Sequence, residues 1–163
     1  MAARTFNHLG SDIALTRFTA VPGAVPLDQA DSGGSLDLAV VPGRPGRAGQ
    51  PVPTDLGTVS GRTVLAQALI VRLLTPLGSL AELGHSGYGS RLGELIGRGN
   101  TSATRNLARL YTIEALARER RVLQVQELVV EVPPGSPDSV RIRFSVLPVA
   151  DDDPLTLTLD VSL

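Results

Sequence analysis

Apolar and polar residues alternate through the last forty residues of the chain. One stretch has four apolar residues at every second position, Val140, Ile142, Phe144 and Val146, and a later stretch has five, Leu155, Leu157, Leu159, Val161 and Leu163. This period is typical of a β-strand with one buried face. The stretch 123–132 keeps the period but changes parity near Glu127, which indicates a β-bulge. Three consecutive strands with one polar face predict an antiparallel meander.

The middle of the chain has apolar residues three or four positions apart, as in helices. Ser60 is the predicted cap of a first helix, which ends before Pro76 and Gly78. Ser90 is the predicted cap of a short second helix, whose apolar residues are Leu92, Leu95 and Ile96. Thr101 or Ser102 caps the third. Its predicted core-facing stripe is Ala103, Leu107, Leu110, Ile113 and Ala117.

Residues 20–60 are rich in proline and glycine, which limits regular structure there to short pieces. Strands are predicted at 36–41 and, with weaker periodicity, at 13–18. The predicted fold is therefore α+β: an antiparallel sheet, made of the carboxy-terminal meander and an amino-terminal strand, packed with two or three helices. We expect 1–59 and 60–163 to belong to one domain.

Composition narrows the classes of partner. The 163 residues are 42% hydrophobic with a net charge of −1, and all 15 basic residues are arginine. Such a balance gives no field that would draw nucleic acid or an anionic membrane. The absence of cysteine suits assembly in reducing cytoplasm. The first residues lack a signal peptide's apolar segment, so we expect a soluble protein without direct membrane insertion.

The residues that commonly carry chemistry form no recognisable site in the sequence. His8 and His85 lie far apart, so we expect no metal site and no cofactor. Ser86, between Gly84 and Gly87, lacks the strand context of a nucleophile elbow. The glycines Gly87, Gly89 and Gly93 lack a phosphate-loop spacing, which favours close backbone approach or positive φ instead.

Glycosidase chemistry needs two carboxylates across a cleft, usually with aromatic platforms for the sugar. The helical middle offers Glu82, Glu94, Glu114 and Glu119, but aromatic residues make up only 3% of the chain. Six arginines lie around the third helix, namely Arg98, Arg105, Arg109, Arg118, Arg120 and Arg121. Without interleaved aromatic residues they favour a hydrated face or an acidic protein partner over nucleic acid.

The order of these features resembles a known family. The chain is similar to the contractile-tail baseplate wedge family, also called gene-product-25-like or tail-lysozyme-like. The similarity lies in three segments that precede the strands: Leu74-Thr75-Pro76-Leu77-Gly78, Tyr88-Gly89-Ser90-Arg91-Leu92 and Glu119-Arg120-Arg121-Val122. The resemblance covers 60–163, and the amino-terminal third matches loosely through 9–13. Arg120 stands where the family's Glu-Pro-Arg triplet has proline. The resemblance implies that Glu119 and Arg121 fix the junction between helix and sheet and contact the helical core bundle of the larger wedge proteins, with Arg118 and Arg120 as further partner-binding residues.

The resemblance also implies a function. The implied protein is a non-enzymatic subunit that joins the wedge core to the first sheath ring. The machine would be a phage tail, a type VI secretion system or an extracellular injection particle, assembled in the cytoplasm with six copies of the subunit per baseplate. Larger wedge proteins, sheath protein and hub, spike or inner-tube proteins are the implied partners.

The strand with Leu155, Leu157, Leu159, Val161 and Leu163 would pair with sheath strands if it lies at a sheet edge, and an interior position is the open alternative. A peptidoglycan-degrading tail lysozyme and a free adaptor that binds through the arginine-rich helix are the alternative functions.

Overall fold

Two α-helices pack against antiparallel strands in the computed structural model, which describes residues 9–15, 38–44, 54–149 and 151–163. The predicted α+β fold is confirmed. The helices are α1, Arg62–Leu74, and α2, Ser102–Ala117, with 3₁₀ turns at Ala81–Leu83 and Leu92–Leu95. The strands are β1 Ser11–Ile13, β2 Val40–Pro42, β3 Thr54–Leu56, β4 Thr58–Ser60, β5 Val122–Glu131, β6 Ser139–Pro148 and β7 Leu155–Ser162.

The three long strands form the predicted meander, in the order β5-β6-β7. Phe144 on β6 faces Leu128 on β5 and Leu157 on β7, and its side chain is fully buried. The register of β5 against β6 shifts between Val125 and Glu127, which confirms the predicted bulge. Alternation along β6 and β7 thus buries one face of the sheet, against which the helices pack.

The start of α1 differs from the prediction. Ser60 ends β4, where it pairs with Ser11 of β1, and its side chain does not cap the helix. The chain enters α1 through Gly61, whose φ of 62° favours glycine. The predicted cap is wrong because a strand continues directly into the helix. The predicted end before Pro76 is confirmed, since α1 ends at Leu74.

The second predicted helix is a single 3₁₀ turn, Leu92–Leu95. The hydroxyl of Ser90 accepts a hydrogen bond from the Leu92 amide at 3.2 Å, so it supports the turn as predicted. Leu92 and Leu95 are buried, but Ile96 is 59% exposed because the chain is already extended there.

The cap of α2 is Thr101, whose hydroxyl accepts from the Thr104 amide at 3.1 Å. The predicted core stripe of α2 is wrong. Four of its members are exposed and Leu107 is half-buried. The face toward the core is offset by one position, and its members are Thr104, Ala108, Tyr111, Thr112, Ala115 and Leu116. Three of these residues, Thr104, Tyr111 and Thr112, carry hydroxyl groups, so the spacing of apolar residues does not reveal this face. The Thr112 hydroxyl donates to the Ala108 carbonyl at 2.8 Å.

The predicted addition of an amino-terminal strand to the long sheet is wrong for the described residues, in which the amino-terminal strands form two small sheets of their own, β1 with β4 and β2 with β3. Of the predicted strand 13–18, Ile13 ends β1 and Leu15 forms an isolated bridge with Leu38. Of the predicted strand 36–41, the last two residues lie in β2. Residues 16–18 and 36–37 lie outside the described residues. Leu9 is 1% exposed and belongs to the same core as the long sheet. The two hydrogen bonds between Gln67 of α1 and the backbone of Ile13 and Leu15, both 2.9 Å, attach this region to the helix.

Candidate protein-binding site

Glu119 is a buried carboxylate at the point where α2 gives way to the sheet. It is 8% exposed. Its Oε2 accepts a hydrogen bond from Nη2 of Arg72 at 2.9 Å, and its Oε1 accepts one from Nε of Arg121 at 2.8 Å. Because both oxygens are used within the chain, Glu119 acts first as an internal counter-ion.

This ion-pair cluster, Arg72, Glu119 and Arg121, ties distant parts of the chain together. Nη1 of Arg121 donates to the Leu9 carbonyl at 3.2 Å, and the Arg121 carbonyl accepts from the Val149 amide at 2.9 Å. Arg72 belongs to α1. The cluster therefore joins α1, the start of β5 and the amino-terminal segment. The implied contact of Glu119 and Arg121 with larger wedge proteins stays a prediction.

The electrostatics of the cluster keep Glu119 ionised at neutral pH. Burial by itself would raise the pKa of Glu119, but hydrogen bonds from Arg121 and Arg72 outweigh it and hold the pKa below its usual value. Arg72 also stacks over the ring of Tyr88, 4.4 Å from its centroid. Burial raises the pKa of Tyr88, so its hydroxyl stays protonated at neutral pH.

Arg118 and Arg120 flank Glu119 and are both exposed. Neither forms an ion pair with any residue in the described ranges. The triplet position that is proline in the resembled family thus holds a side chain open to solvent. Arg118 and Arg120 together present positive charge next to a junction that Glu119 ties together by ion pairs.

The predicted partner-binding residues of β7 have buried side chains. Leu155, Leu157, Leu159 and Val161 are at most 8% exposed, and Leu163 packs against the same core. A partner therefore cannot contact β7 through these leucines and valine. Its access to the strand is through the backbone.

The backbone of β7 is open along one side. Within the described residues β7 pairs with β6 alone, so it lies at the sheet edge. The Leu163 amide donates to the Asp138 carbonyl across this pair. Since such bonds alternate in an antiparallel ladder, the odd-numbered residues bond to β6. The N–H and C=O groups of Thr156, Thr158 and Asp160 therefore lie in the plane of the sheet and point away from β6.

The opposite edge of the sheet, on β5, is less regular. Its register shifts twice, between Val122 and Gln124 and between Val125 and Glu127, whereas β7 pairs with β6 without a shift. Bulges twist an edge away from further pairing. Of the two edges, β7 is therefore the better template for another strand.

Gly89 and Glu94 have structural roles. At Gly89, with φ of +105°, an added Cβ would lie 2.6 Å from the Thr75 carbonyl oxygen, so the predicted close backbone approach is confirmed there. Glu94 forms two hydrogen bonds of 2.9 Å with Arg91. In the described part of the chain, no group of His, Asp or Glu side chains has a metal-binding arrangement.

Sequence reasoning missed Arg72 as a functional partner of Glu119. The available signal was an arginine on the buried side of α1, between Leu69 and Leu73. A charged residue on an apolar stripe needs a counter-ion in the core. Its identity could not be read from spacing, because Glu119 lies 47 residues away.

Comparison with known proteins gives the fold and little else. No known family matches the sequence, and neither does any curated protein. A solved structure from Geobacter sulfurreducens, provisionally described as a tail lysozyme, is 15% identical with a TM-score of 0.52. The match covers 61% of this chain and 87% of that one. Over that part, the chain thus shares its fold with a protein named as a tail lysozyme. No helix in the described ranges has the length and apolar character needed to span a membrane.

Proposed function

We propose that this protein is a structural wedge subunit in the baseplate of a contractile injection machine, where β7 starts sheath assembly by pairing with a sheath strand. The observation that carries the proposal is the regular, outward-facing backbone of β7 at the sheet edge. Such an edge binds an extended strand through main-chain hydrogen bonds. The shared fold with a tail-named protein supports the same setting.

The cluster around Glu119 supports a second contact, to larger wedge proteins. Its buried ion pairs hold the end of α2 rigidly, while Arg118 and Arg120 present positive charge beside it. Acidic residues on a wedge partner would pair with these arginines. The subunit would then join the wedge on one side and the sheath on the other, in an assembly formed in the cytoplasm with six copies per baseplate.

The glutamates support a non-catalytic role. A glycosidase general acid needs a pKa raised toward neutrality. The pKa of Glu119 is lowered despite burial, which its hydrogen bonds to Arg121 and Arg72 outweigh, and the pKa of Glu94 is lowered by its hydrogen bond to Arg91. Both carboxyls are therefore suited to ion pairing and unsuited to proton donation at neutral pH.

The test replaces Thr158 with proline and leaves the rest of the strand intact. Thr158→Pro removes an amide that points away from β6, so the sheet should form while pairing with an added strand is blocked. Deleting 155–163 is a poorer test, because it also removes Leu157 and Leu159 from the core. Thr158→Val keeps the amide and is the matched control.

Each variant is co-expressed with the sheath and wedge proteins encoded beside it, and sheaths are counted by electron microscopy. Thr158→Pro should still bind wedge proteins but should form no sheath, while Thr158→Val should behave as the unaltered protein. Normal sheaths on a folded Thr158→Pro protein would remove the strand-pairing mechanism. Neighbouring genes that encode no tail components would remove the proposal as a whole.

Peptidoglycan hydrolysis is the alternative function, because the similar structure is named for it. The purified protein would then clear a suspension of cell walls. Glu82→Gln and Glu119→Gln should each abolish that clearing if either carboxyl is catalytic. We expect no clearing at high protein concentration.

A further inference from the structure

The outward side of α2 carries an exposed apolar surface, which we call the outer stripe. Leu110 is 48% exposed and Ile113 is 41% exposed. Ala103 and Ala117 extend the stripe along the helix, and Leu107 borders it half-buried. Contiguous apolar surface of this kind on a soluble protein usually marks a binding site.

Both sides of α2 carry large apolar residues. Toward the sheet, the helix buries Tyr111 and Leu116 together with smaller residues. Toward solvent, it places Leu110 and Ile113. A helix that is apolar on both sides is normally covered on both sides. The outward leucine and isoleucine therefore indicate a second packing partner.

The spacing of the outer stripe matches that of a helix-packing seam. From Ala103 to Ala117 the steps are four, three, three and four residues, an average of about 3.5. Apolar residues at this interval keep one line of contact toward a second helix. Asn106 interrupts the stripe, as single polar residues do in seams where they fix register. The shape is thus that of a site for an α-helix.

Charge at the borders of the stripe favours one kind of helix. At about 3.6 residues per turn, Arg109 and Arg118 fall on opposite flanks of Leu110. Both are exposed, and neither has an ion pair within the described ranges. Glu114 lies on the same side of the helix, four residues before Arg118, and offsets one of these charges. Two arginines against one glutamate leave the borders of the stripe with a net positive charge.

We propose that the outer stripe of α2 binds an amphipathic α-helix of another protein, with Asp or Glu on both sides of its apolar seam. A second copy of this chain fits less well, because it would bring Arg109 and Arg118 against like charges. This site is separate from the edge of β7, and it shares Arg118 with the proposed contact to larger wedge proteins, which it would extend along α2. It holds whether or not that edge pairs with sheath protein.

The test uses the full chain and two designed helical peptides with the same Leu and Ile seam. One peptide has Glu at its flanking positions, and the other has Lys. Binding of the fluorescently labelled peptides is measured by anisotropy. Matched variants are Leu110→Ser with Ile113→Ser, which removes apolar contact, and Arg109→Glu with Arg118→Glu, which reverses the flanking charge. Circular dichroism confirms that each variant is folded.

The Glu peptide should bind at least about tenfold more tightly than the Lys peptide, and the double serine variant should lose about tenfold in affinity. The charge-reversed variant should prefer the Lys peptide. Equal binding of both peptides, or none of either, would overturn the proposal. Two further measurements exclude other occupants.

The first is the mass in solution, by light scattering. A dimer that dissociates in the double serine variant would show that a second copy occupies the stripe, against the proposal. The second measures the reactivity of the thiol in Ile113→Cys, which is unique because the natural chain has no cysteine. A monomer whose thiol resists a maleimide would show that the chain covers its own stripe. Rapid labelling of a monomer supports the proposal.

Discussion

At the scale of single residues, the carboxylate of Glu119 is the most heavily used polar group in the candidate site. It neutralises Arg72, which is 9% exposed and whose Nε has no hydrogen-bond partner among the described residues. Removal of the carboxylate charge would leave a buried guanidinium without a counter-ion. The free energy of unfolding lost in this way is larger than the net amount that the intact ion pair contributes, because Arg72 cannot lose its proton and stays charged.

Glu119→Gln should therefore lower the free energy of unfolding by about 2 to 4 kcal/mol, measured by urea denaturation at neutral pH. Glu94→Gln is the control, because its ion pair with Arg91 is exposed and should leave stability unchanged within error. Equal stability of the two variants would show that the buried cluster is not a stabilising junction.

The lowered pKa of Glu119 also predicts a pH dependence. Its folded-state pKa lies below the ordinary 4.5, so its contribution is complete above that value and is lost as the pH falls through the folded pKa. The unaltered protein should therefore lose stability on acidification below about 4.5 more steeply than Glu119→Gln does. Thermal melting at a series of pH values measures the difference.

Gly89 gives a second prediction at this scale. Gly89→Ala would place a Cβ 2.6 Å from the Thr75 carbonyl oxygen, on a backbone with φ of +105°. The free energy of unfolding should fall by about 3 kcal/mol or more. Gly87→Ala is the control, since its Cβ would meet nothing within 4 Å and should change stability by less than about 0.5 kcal/mol.

At the scale of elements, the strands of the meander could be predicted because their faces differ in polarity. Successive side chains on β6 between Val140 and Val146 alternate between the core face and the outer face of the sheet. Apolar residues therefore recur at every second position in the sequence. Even the bulge near Glu127 was visible, since one extra residue changes parity.

The same reasoning failed on α2 for a physical reason. Hydrophobic spacing identifies an apolar face, but it does not say whether that face meets the chain's own core or another protein. Leu110 and Ile113 were assigned to the core, whereas Thr104 and Thr112 lie there. A threonine whose hydroxyl bonds to the preceding turn packs like a small apolar residue. The site residues near Glu119 came from resemblance, and their partner Arg72 came only from the folded chain.

At the scale of the whole molecule, Gln67 controls how the amino-terminal strands attach to the helical core. Its side-chain oxygen accepts from the Leu15 amide and its nitrogen donates to the Ile13 carbonyl. It is 3% exposed, so no water replaces these bonds readily. That residues 1–59 fold with 60–163 as one domain stays a prediction.

Gln67→Leu should release this attachment without melting the sheet. Hydrogen exchange at the Leu15 amide should quicken about tenfold, while exchange along β6 should be unchanged. Gln126→Leu, a substitution at an exposed site on β5, is the control and should leave both regions as they are. If the whole chain exchanged faster in Gln67→Leu, the amino-terminal strands would be part of the core's own cooperative unit.

The outer edge of β7 has a consequence for how the protein behaves in solution. The backbone donors and acceptors of Thr156 and Thr158 point away from β6 and pair with no other described strand, so they would accept the same strand from a sister molecule as readily as one from another protein. Copies without a strand partner would then be free to join edge to edge into ribbons. At high concentration the purified protein is therefore expected to self-associate through β7 into β-rich assemblies, which dilution should reverse.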